Sequence, residues 1–200
     1  PKAWRAQGLP RAAGSPGSQG HDYNCRGRAR QSRWALGLCL IVAAMAATAM
    51  AAPPAPRVEA AFGKDCETLL IRHIGRAEKE ILVAIYSMTR RNITEALADA
   101  AGRGVKIKLK YHAASADEDD MKAAMKELRK QGVKCTGIKM SDDYAKMHHK
   151  FTVIDGKRVL TGSYNYTTSA TTLSYENMVL IESEEIAREF IAEFDRIKGK

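Results

Sequence analysis

Residues 147–166 read MHHKFTVIDGKRVLTGSYNY, two short runs rich in apolar residues on either side of Asp155-Gly156. An Asp-Gly pair between two such runs predicts a β-hairpin with a two-residue turn. With that turn the numbers of facing residues sum to 311, so His148 is expected opposite Ser163, at a Cβ separation of about 5 Å. The stretch therefore predicts an antiparallel hairpin that brings polar side chains of both strands together.

Four polar side chains are expected on one face of this hairpin. His148 and Lys150 are two residues apart, as are Ser163 and Asn165, and residues two apart on a strand point to the same side. They supply a nucleophile, a cation for a phosphoryl oxygen and two neutral hydrogen-bonding groups, a set suited to a phosphodiester that needs no metal. Ser163 and Asn165 also fit as ordinary polar residues at a strand end, and Asp155 fits equally as a turn residue or a catalytic one.

The spacing of these residues resembles the H-x-K-x4-D-x6-G-S-x-N signature of the phospholipase D superfamily. The pattern is formed by His148, Lys150, Asp155, Gly162, Ser163 and Asn165. Glu176 stands where that family often places a downstream acidic residue. The resemblance covers about residues 60–198 and is closest to the small single-motif bacterial endonucleases of the Nuc type.

The resemblance implies double displacement at phosphorus, without a cofactor. His148 would attack as a neutral imidazole and form a phosphohistidine, and a second histidine would protonate the leaving oxygen and then activate water. Lys150 and Asn165 would hold phosphoryl oxygens, and Ser163 would orient the site. Glu176 would fix the tautomer and orientation of His148. Three other acidic residues compete for that role: Asp142, Asp143 and Glu182.

The need for a second histidine predicts a homodimer with a shared active site. Besides His148, no histidine of the chain is followed two places on by lysine; the others are His21, His73, His112 and His149. About 140 residues are also too few for a second copy of the domain. A twofold dimer would bring two copies of the motif into one cleft, where a basic surface would meet a phosphate backbone. The alternative is a monomer in which His112 serves as the acid.

The rest of the chain from residue 60 alternates between helical and strand patterns. Apolar spacing predicts helices around 66–77, 93–101, 121–128 and 186–197, and strands at 81–86, 105–111, 133–138 and 177–181. This order predicts a single α/β domain over residues 60–198, with a mixed β-sheet flanked by helices. A Rossmann-like parallel sheet is the alternative, but no G-x-G-x-x-G follows the strand at 81–86.

Residues 1–52 are interpreted as a disordered extension followed by a secretory signal peptide. Four arginines between 26 and 33 precede an uncharged apolar run over 34–52 that ends in A-x-A spacing. Residues 53–59 follow as a Pro-rich linker. We therefore expect a periplasmic or secreted domain. The alternative is an uncleaved membrane anchor over 34–52, since nineteen apolar residues can just span a bilayer.

The net charge of +9 is unevenly distributed. Residues 1–52 hold seven Lys or Arg and one acid, a balance of +6, whereas the remaining residues hold 25 and 22, a balance of +3. The basicity of the whole chain is therefore weak evidence for a nucleic-acid partner. Within the domain, Lys106, Lys108 and Lys110 share one strand face, which is either a phosphate-binding rim or a solvated edge.

Two further groups leave alternatives open. Cys66 and Cys135 either pair in an oxidising compartment or are small buried residues on apolar faces. His149 is expected to point away from His148, yet with Asp142 and Asp143 it allows a metal site as a minor alternative.

The sequence thus favours a metal-independent phosphodiesterase, an exported endonuclease acting on DNA or RNA. Phospholipase D activity on phosphatidyl lipids is the competing enzyme interpretation, although a short domain leaves little room for a lipid-binding cleft. An inactive nucleic-acid-binding or membrane-anchored module is the alternative of another class, and the intact motif argues against it.

Overall fold

A seven-stranded mixed β-sheet runs through the domain in the order β1-β7-β6-β5-β2-β3-β4. The strands are β1 (Arg57–Phe62), β2 (Glu80–Ile85), β3 (Lys106–His112), β4 (Lys134–Ile138), β5 (Lys150–Ile154), β6 (Arg158–Gly162) and β7 (Asn177–Glu182). The helices are α1 (Asp65–Gly75), α2 (Arg91–Gly102), α3 (Asp119–Lys130), α4 (Thr168–Thr172) and α5 (Glu184–Arg196), with a 3-10 turn at Ala113–Asp117. The predicted α/β domain with a mixed sheet flanked by helices is confirmed.

This computed structural model describes residues 55–142 and 144–198. The predicted leader over 1–52, with its apolar run over 34–52, lies outside the described residues. Within the described ranges, no helix combines the length and the apolar character needed to cross a bilayer.

Strand β2 lies in the interior of the sheet, between β5 and β3, and is covered on both faces, which explains its continuous apolar sequence. Ile81, Val83 and Ile85 are fully buried in the layer formed with α1, α2 and α3. Leu82 and Ala84 point the other way, into a smaller layer that includes residues of α5. Two apolar layers therefore pack on opposite faces of β2 and hold it in the interior of the sheet.

The ends of five strands meet at one edge of the sheet. β2 and β3 are parallel, so their carboxyl ends lie side by side. β5 runs antiparallel to β2 and begins there, with Lys150 opposite Ile85. β6 ends and β7 begins at the same edge, because Gly162 pairs with Met178. Residues that follow β2, β3 and β6, or precede β5 and β7, are thereby brought together.

The predicted hairpin exists, but its predicted register is wrong by one residue. Ile154 pairs with Arg158, which makes a three-residue loop over 155–157 and removes the expected pairing of His148 with Ser163. The residues of the Asp-Gly pair do have positive φ angles, 54° and 67°. The Asp155 carboxylate holds this longer loop. It accepts hydrogen bonds from the backbone N–H of Lys79, just before β2, and from the Arg158 side chain.

Two elements were not predicted. β1 begins inside the segment interpreted as a linker over 53–59. It pairs antiparallel with β7 and is the outermost strand on that side of the sheet. It shows little apolar alternation toward the core, because Val58 and Phe62 are exposed and only Ala61 is buried. Helix α4 is a single turn of Thr, Ser and Ala, held by the Thr167 hydroxyl, which accepts from the backbone N–H of Ala170 at 3.1 Å.

Candidate active site

His148 and Lys150 are in contact at the start of β5. Nζ of Lys150 lies 3.1 Å from Nε2 of His148 and 3.1 Å from its carbonyl oxygen. Because an ammonium only donates hydrogen bonds, Nε2 accepts and the ring proton belongs on Nδ1. The tautomer that fits this contact therefore keeps the lone pair of His148 at the nitrogen nearest the cation.

The surroundings favour the neutral form of this imidazole. Partial desolvation of the ring lowers the pKa of His148, and the neighbouring charges of Lys150 and His149 lower it further. The pKa of Lys150 is also lowered by burial, while the Glu176 carboxylate acts in the opposite direction. With its pKa below the ordinary value of about 6.5, His148 is mostly unprotonated at neutral pH and can act as a nucleophile.

Tyr86 contacts both of these side chains. Its ring centroid lies 5.0 Å from that of His148 in an edge arrangement and 5.4 Å from Nζ of Lys150. The same ring stacks on His112, with centroids 5.0 Å apart and planes inclined by 16°. Sequence reasoning did not place Tyr86 in the site. Its position could have indicated a role in the site, because Tyr86 directly follows β2 and ligand sites form at the carboxyl ends of parallel strands.

Ser163 connects Glu176 to the backbone of β7. Its hydroxyl donates to Oε2 of Glu176 and accepts from the backbone N–H of Asn177 at 3.1 Å. Glu176 is thus held by Ser163, whereas the hydrogen bond of Nε2 of His148 is to Lys150. The charge of Glu176 acts on Lys150, whose pKa it raises.

Two competitors of Glu176 are placed elsewhere. Asp142 accepts from the backbone N–H of Tyr144 at 2.6 Å, and Glu182 lies at the opposite end of β7. Asp143 lies outside the described residues.

Gly162 allows β6 and β7 to approach closely beside the site. A Cβ atom at this position would lie 2.2 Å from the carbonyl oxygen of Asn177. The glycine of the motif is therefore required by the strand contact that positions Ser163.

Asn165 lies between two anchored tyrosines. The Tyr164 hydroxyl is 2.6 Å from Oγ1 of Thr171, and the Tyr166 hydroxyl is 2.7 Å from Oγ1 of Thr152. Both rings are buried, which agrees with the packing role expected for them. Oδ1 of Asn165 is buried and has no hydrogen-bond partner in the described part of the chain. The amide is therefore held in place with unused hydrogen-bonding capacity.

Asp155 lies far from this edge, at the other end of β5. Its Oδ1 accepts from the backbone N–H of Lys79 at 2.8 Å and, more weakly, from those of Glu78 and Glu80, and Oδ2 accepts from Arg158. Burial alone would raise the pKa of Asp155, but these amides and the charge of Arg158 outweigh it, so the pKa is lowered. Of its two expected roles, the geometry supports the structural one.

His149 points to the opposite side of the sheet, as expected. Its Nε2 lies 3.1 Å from Oε1 of Glu193, and its ring packs edge-on against Phe151. Within the described ranges, no three His, Cys, Asp or Glu side chains are grouped so as to hold a metal ion. Cys66, buried on α1, and Cys135, on β4, do not form a disulfide with each other.

Two lysines of β3 have partners within the domain. Nζ of Lys108 lies 2.8 Å from Oε1 of Glu80. Nζ of Lys110 donates to the carbonyl oxygens of Phe194 at 2.6 Å and Ile197 at 3.0 Å, at the end of α5. These contacts favour a structural role for Lys108 and Lys110 over a phosphate-binding rim along this face.

Comparisons with known proteins agree with this geometry. The family described as "Cardiolipin synthase, PLD-like domain" matches residues 70–198. Phospholipase D of Rickettsia felis is 34% identical over 128 residues, which are 63% of this chain and 60% of that protein. Mitochondrial cardiolipin hydrolase of Canis lupus familiaris is 29% identical over 150 residues, 72% of this chain and 56% of that protein. The chain thus spans about three fifths of the length of the curated relatives it matches.

A solved structure shares the fold. The phospholipase D family member Nuc from Salmonella typhimurium superposes with a TM-score of 0.67 at 26% identity, over 71% of this chain and 93% of that one. With the family match over residues 70–198, this similarity confirms the resemblance inferred from the motif, and the chain belongs to the PLD-like family of the phospholipase D superfamily.

Proposed function

We propose that this protein is a metal-independent phosphodiesterase in which His148 becomes transiently phosphorylated. The observation that carries the proposal is the contact between Nζ of Lys150 and Nε2 of a neutral His148. When a substrate enters, a phosphoryl oxygen takes over the hydrogen bond of Lys150 and frees the lone pair for attack.

The reaction then proceeds in two displacements. The lone pair on Nε2 of His148 forms a nitrogen–phosphorus bond while the bond from phosphorus to the leaving oxygen breaks, and that oxygen takes a proton from a second, protonated histidine. Water next attacks phosphorus and gives its proton to the second histidine, and the electron pair of the nitrogen–phosphorus bond returns to Nε2. Lys150 and the amide of Asn165 stabilise the charged phosphoryl oxygens.

The second histidine is His148 of a partner chain in a homodimer. Within one chain the alternative is His112, whose ring is buried and stacks on Tyr86. His112 is only 3% exposed and has no lysine two places on, so it lacks both the access to a leaving oxygen and the phosphate-binding partner that the second histidine needs. A twofold arrangement of the exposed His148 instead supplies equivalent histidines on both sides of one phosphate.

The substrate we propose is DNA or RNA, cleaved internally and outside the cytoplasm. Similarity to Nuc, almost all of whose chain is matched, supports the nuclease activity. Export rests on the basic and apolar pattern that ends at residue 52. Phospholipid hydrolysis is the second candidate, supported by relatives named phospholipase D and cardiolipin hydrolase.

One experiment separates these candidates. The purified protein is incubated in EDTA with plasmid DNA, RNA, and vesicles of phosphatidylcholine and of cardiolipin, with His148→Asn as the control. We expect nucleic-acid cleavage in EDTA that is lost in His148→Asn. Lipid hydrolysis without nucleic-acid cleavage would overturn the nuclease assignment, and loss of all activity in EDTA would overturn the metal-independent mechanism.

The homodimer is tested by sedimentation. We expect a dimer whose specific activity falls on dilution below its dissociation constant. A fully active monomer would contradict the shared site.

A further inference from the structure

The Tyr86 ring is a shared contact of three side chains at the catalytic edge. Its centroid lies 5.0 Å from those of His148 and His112, and 5.4 Å from Nζ of Lys150. The chemical steps proposed above use the histidine–lysine pair and leave Tyr86 and His112 without a role. Both lie where a small displacement would reach the nucleophile.

The backbone that presents Tyr86 is tied to β5 through Tyr166. The carbonyl oxygen of Ser87 accepts from the backbone N–H of Tyr166 at 3.2 Å, and the N–H of Thr89 donates to the carbonyl oxygen of Tyr166 at 2.9 Å. The Tyr166 hydroxyl lies 2.7 Å from Oγ1 of Thr152 on β5. Tyr86 is therefore fixed relative to the strand at whose start the catalytic pair lies.

His112 restricts the orientation of the Tyr86 ring. It is the last residue of β3 and only 3% exposed, and its imidazole stacks on Tyr86 with the two planes inclined by 16°. Stacked aromatic rings attract each other beyond the burial of their surface. Neither ring nitrogen of His112 has a hydrogen-bond partner in the described part of the chain, so the stack is its main specific contact there. A buried ring in this position limits rotation of the tyrosine.

The Tyr86 ring acts on Lys150 as well as on His148. An ammonium within about 6 Å of a ring centroid is attracted to the aromatic ring. In this structure Nζ of Lys150 interacts with both the ring and Nε2 of His148. When Nζ turns from Nε2 to a phosphoryl oxygen, the attraction of the ring keeps it beside the nucleophile. The edge contact between the two rings meanwhile keeps the imidazole from turning with it.

We propose that Tyr86 is a positioning residue for the catalytic pair and that His112 holds Tyr86 in the orientation this role requires. The inference rests on the proposed phosphodiesterase function, because it concerns how Nε2 of His148 is aimed at phosphorus. Neither Tyr86 nor His112 forms a bond to the substrate or transfers a proton in this scheme. A misplacement of about 1 Å can cost about a hundredfold in rate, so the effect belongs mainly to kcat.

Variants that keep or remove a flat ring test this proposal. Tyr86→Leu and His112→Leu remove the ring and keep an apolar side chain, whereas Tyr86→Phe and His112→Phe keep the ring. His73→Leu is the matched control, because His73 is equally buried with both nitrogens unpartnered but lies on α1, where the charges that act on it include Arg158. Hydrolysis of bis(p-nitrophenyl) phosphate in EDTA gives kcat and KM.

We expect kcat to fall at least about tenfold in Tyr86→Leu and about fivefold in His112→Leu, with KM changed less than about threefold. The two phenylalanine variants should recover most of this loss, and His73→Leu should leave kcat within about twofold of the wild-type value. Because His112 acts through Tyr86, the double variant should lose no more activity than Tyr86→Leu alone. Losses that multiply in the double variant would overturn the link between the two residues. A kcat within about threefold of the wild-type value in Tyr86→Leu would overturn the positioning role.

NMR titration of His148 provides a readout that does not depend on activity. Partial desolvation and the charge of Lys150 both lower the pKa of this imidazole. In Tyr86→Leu water reaches the ring and Nζ of Lys150 is less confined, so the pKa of His148 should rise toward its ordinary value of about 6.5. His112→Leu should act in the same direction, while His112→Phe and His73→Leu should keep the wild-type value.

An unchanged pKa of His148 in Tyr86→Leu would overturn the proposal, because the ring would then not order the pair. If the wild-type protein does not hydrolyse bis(p-nitrophenyl) phosphate, it is the proposed function that fails. The pKa of His148 in Tyr86→Leu still decides in that case whether the ring holds the pair.

Discussion

We expect Asp155 to stabilise the fold and to take no part in catalysis. It belongs to the motif, yet it is separated from His148 by seven residues of the hairpin, about 20 Å along an extended strand. Its side chain is only 3% exposed and is bound by the backbone amides before β2 and by Arg158. Removing the carboxylate should therefore loosen the far end of β5 and leave the chemistry in place.

The structure sets the size of this effect. Arg158 is 11% exposed at its side chain, so Asp155→Ala would leave a buried guanidinium without its carboxylate, a change that typically costs 3–5 kcal/mol, or about 4 kcal/mol here. Asp155→Asn retains an oxygen acceptor for the amides of Lys79 and its neighbours and loses the charge, for which we expect about 2 kcal/mol. For a domain of this size, 4 kcal/mol lowers Tm by about 10 °C or more.

Thermal unfolding and kinetics on the same variants test this reasoning. Turnover of bis(p-nitrophenyl) phosphate well below Tm should stay within about threefold of the wild-type value for both substitutions. Asp119→Asn is the control, because that carboxylate is fully exposed beside Lys122, and it should not shift Tm. A loss of turnover beyond about a hundredfold in Asp155→Asn, at unchanged Tm, would refute the structural assignment.

The stabilisation by Asp155 should also depend on pH. Its pKa is lowered in the folded protein, so the carboxylate stabilises the fold above the unfolded pKa of about 3.9. The stabilisation is lost as the pH falls from there toward the folded pKa. The Tm difference between the wild-type protein and Asp155→Asn should therefore be constant near neutral pH and shrink below about pH 4. A difference that persists undiminished at lower pH would contradict the lowered pKa.

The remaining predictions concern the catalytic edge. His148→Asn should reduce turnover by more than about a thousandfold without lowering Tm, because the side chain is exposed and acts as the nucleophile; residual activity near the wild-type level would exclude that role. The acidic limb of the kcat/KM profile should lie below pH 6.5, since the pKa of His148 is lowered. In Glu176→Gln the pKa of Lys150 should fall, because the carboxylate that raises it is gone, and an NMR titration of the Lys150 side chain measures this; an unchanged pKa would show that Glu176 does not act on Lys150. Gly162→Ala should cost at least about 2 kcal/mol in denaturant unfolding and speed hydrogen exchange at the amide of Asn177, and a neutral result would contradict the close contact between β6 and β7.

Most of the fold was predictable because its core elements carry strong periodic patterns. The apolar run of β2 and the stripes of α2 and α3 follow directly from burial on two faces or on one. β1 was missed because it is an edge strand whose Val58 and Phe62 face solvent, so that pairing with β7 defines it rather than its own pattern. Such a strand is visible only once its partner is known.

The catalytic pair was predictable for a different reason, since residues two apart near a strand start share a side whatever the register. His148 and Lys150 therefore meet although the predicted pairing with Ser163 was wrong. The partners of Asp155 and Ser163 were not predictable, because they come from segments distant in sequence, before β2 and before β7. The same holds for the stack of His112 on Tyr86, which depends on two strand ends meeting at one edge.

The position of β1 sets a lower limit for shortening the chain from its amino end. Its first residue, Arg57, forms a pair with Glu182 of β7, so every residue of the strand contributes a rung to the ladder. A cut before Arg57, whether by a peptidase or at the cloning stage, leaves the sheet intact. A cut inside β1 would expose the backbone N–H and C=O groups of β7 that pair with it, and exposed strand edges pair with other chains. Loss of a few residues of β1 is therefore expected to make the protein aggregate.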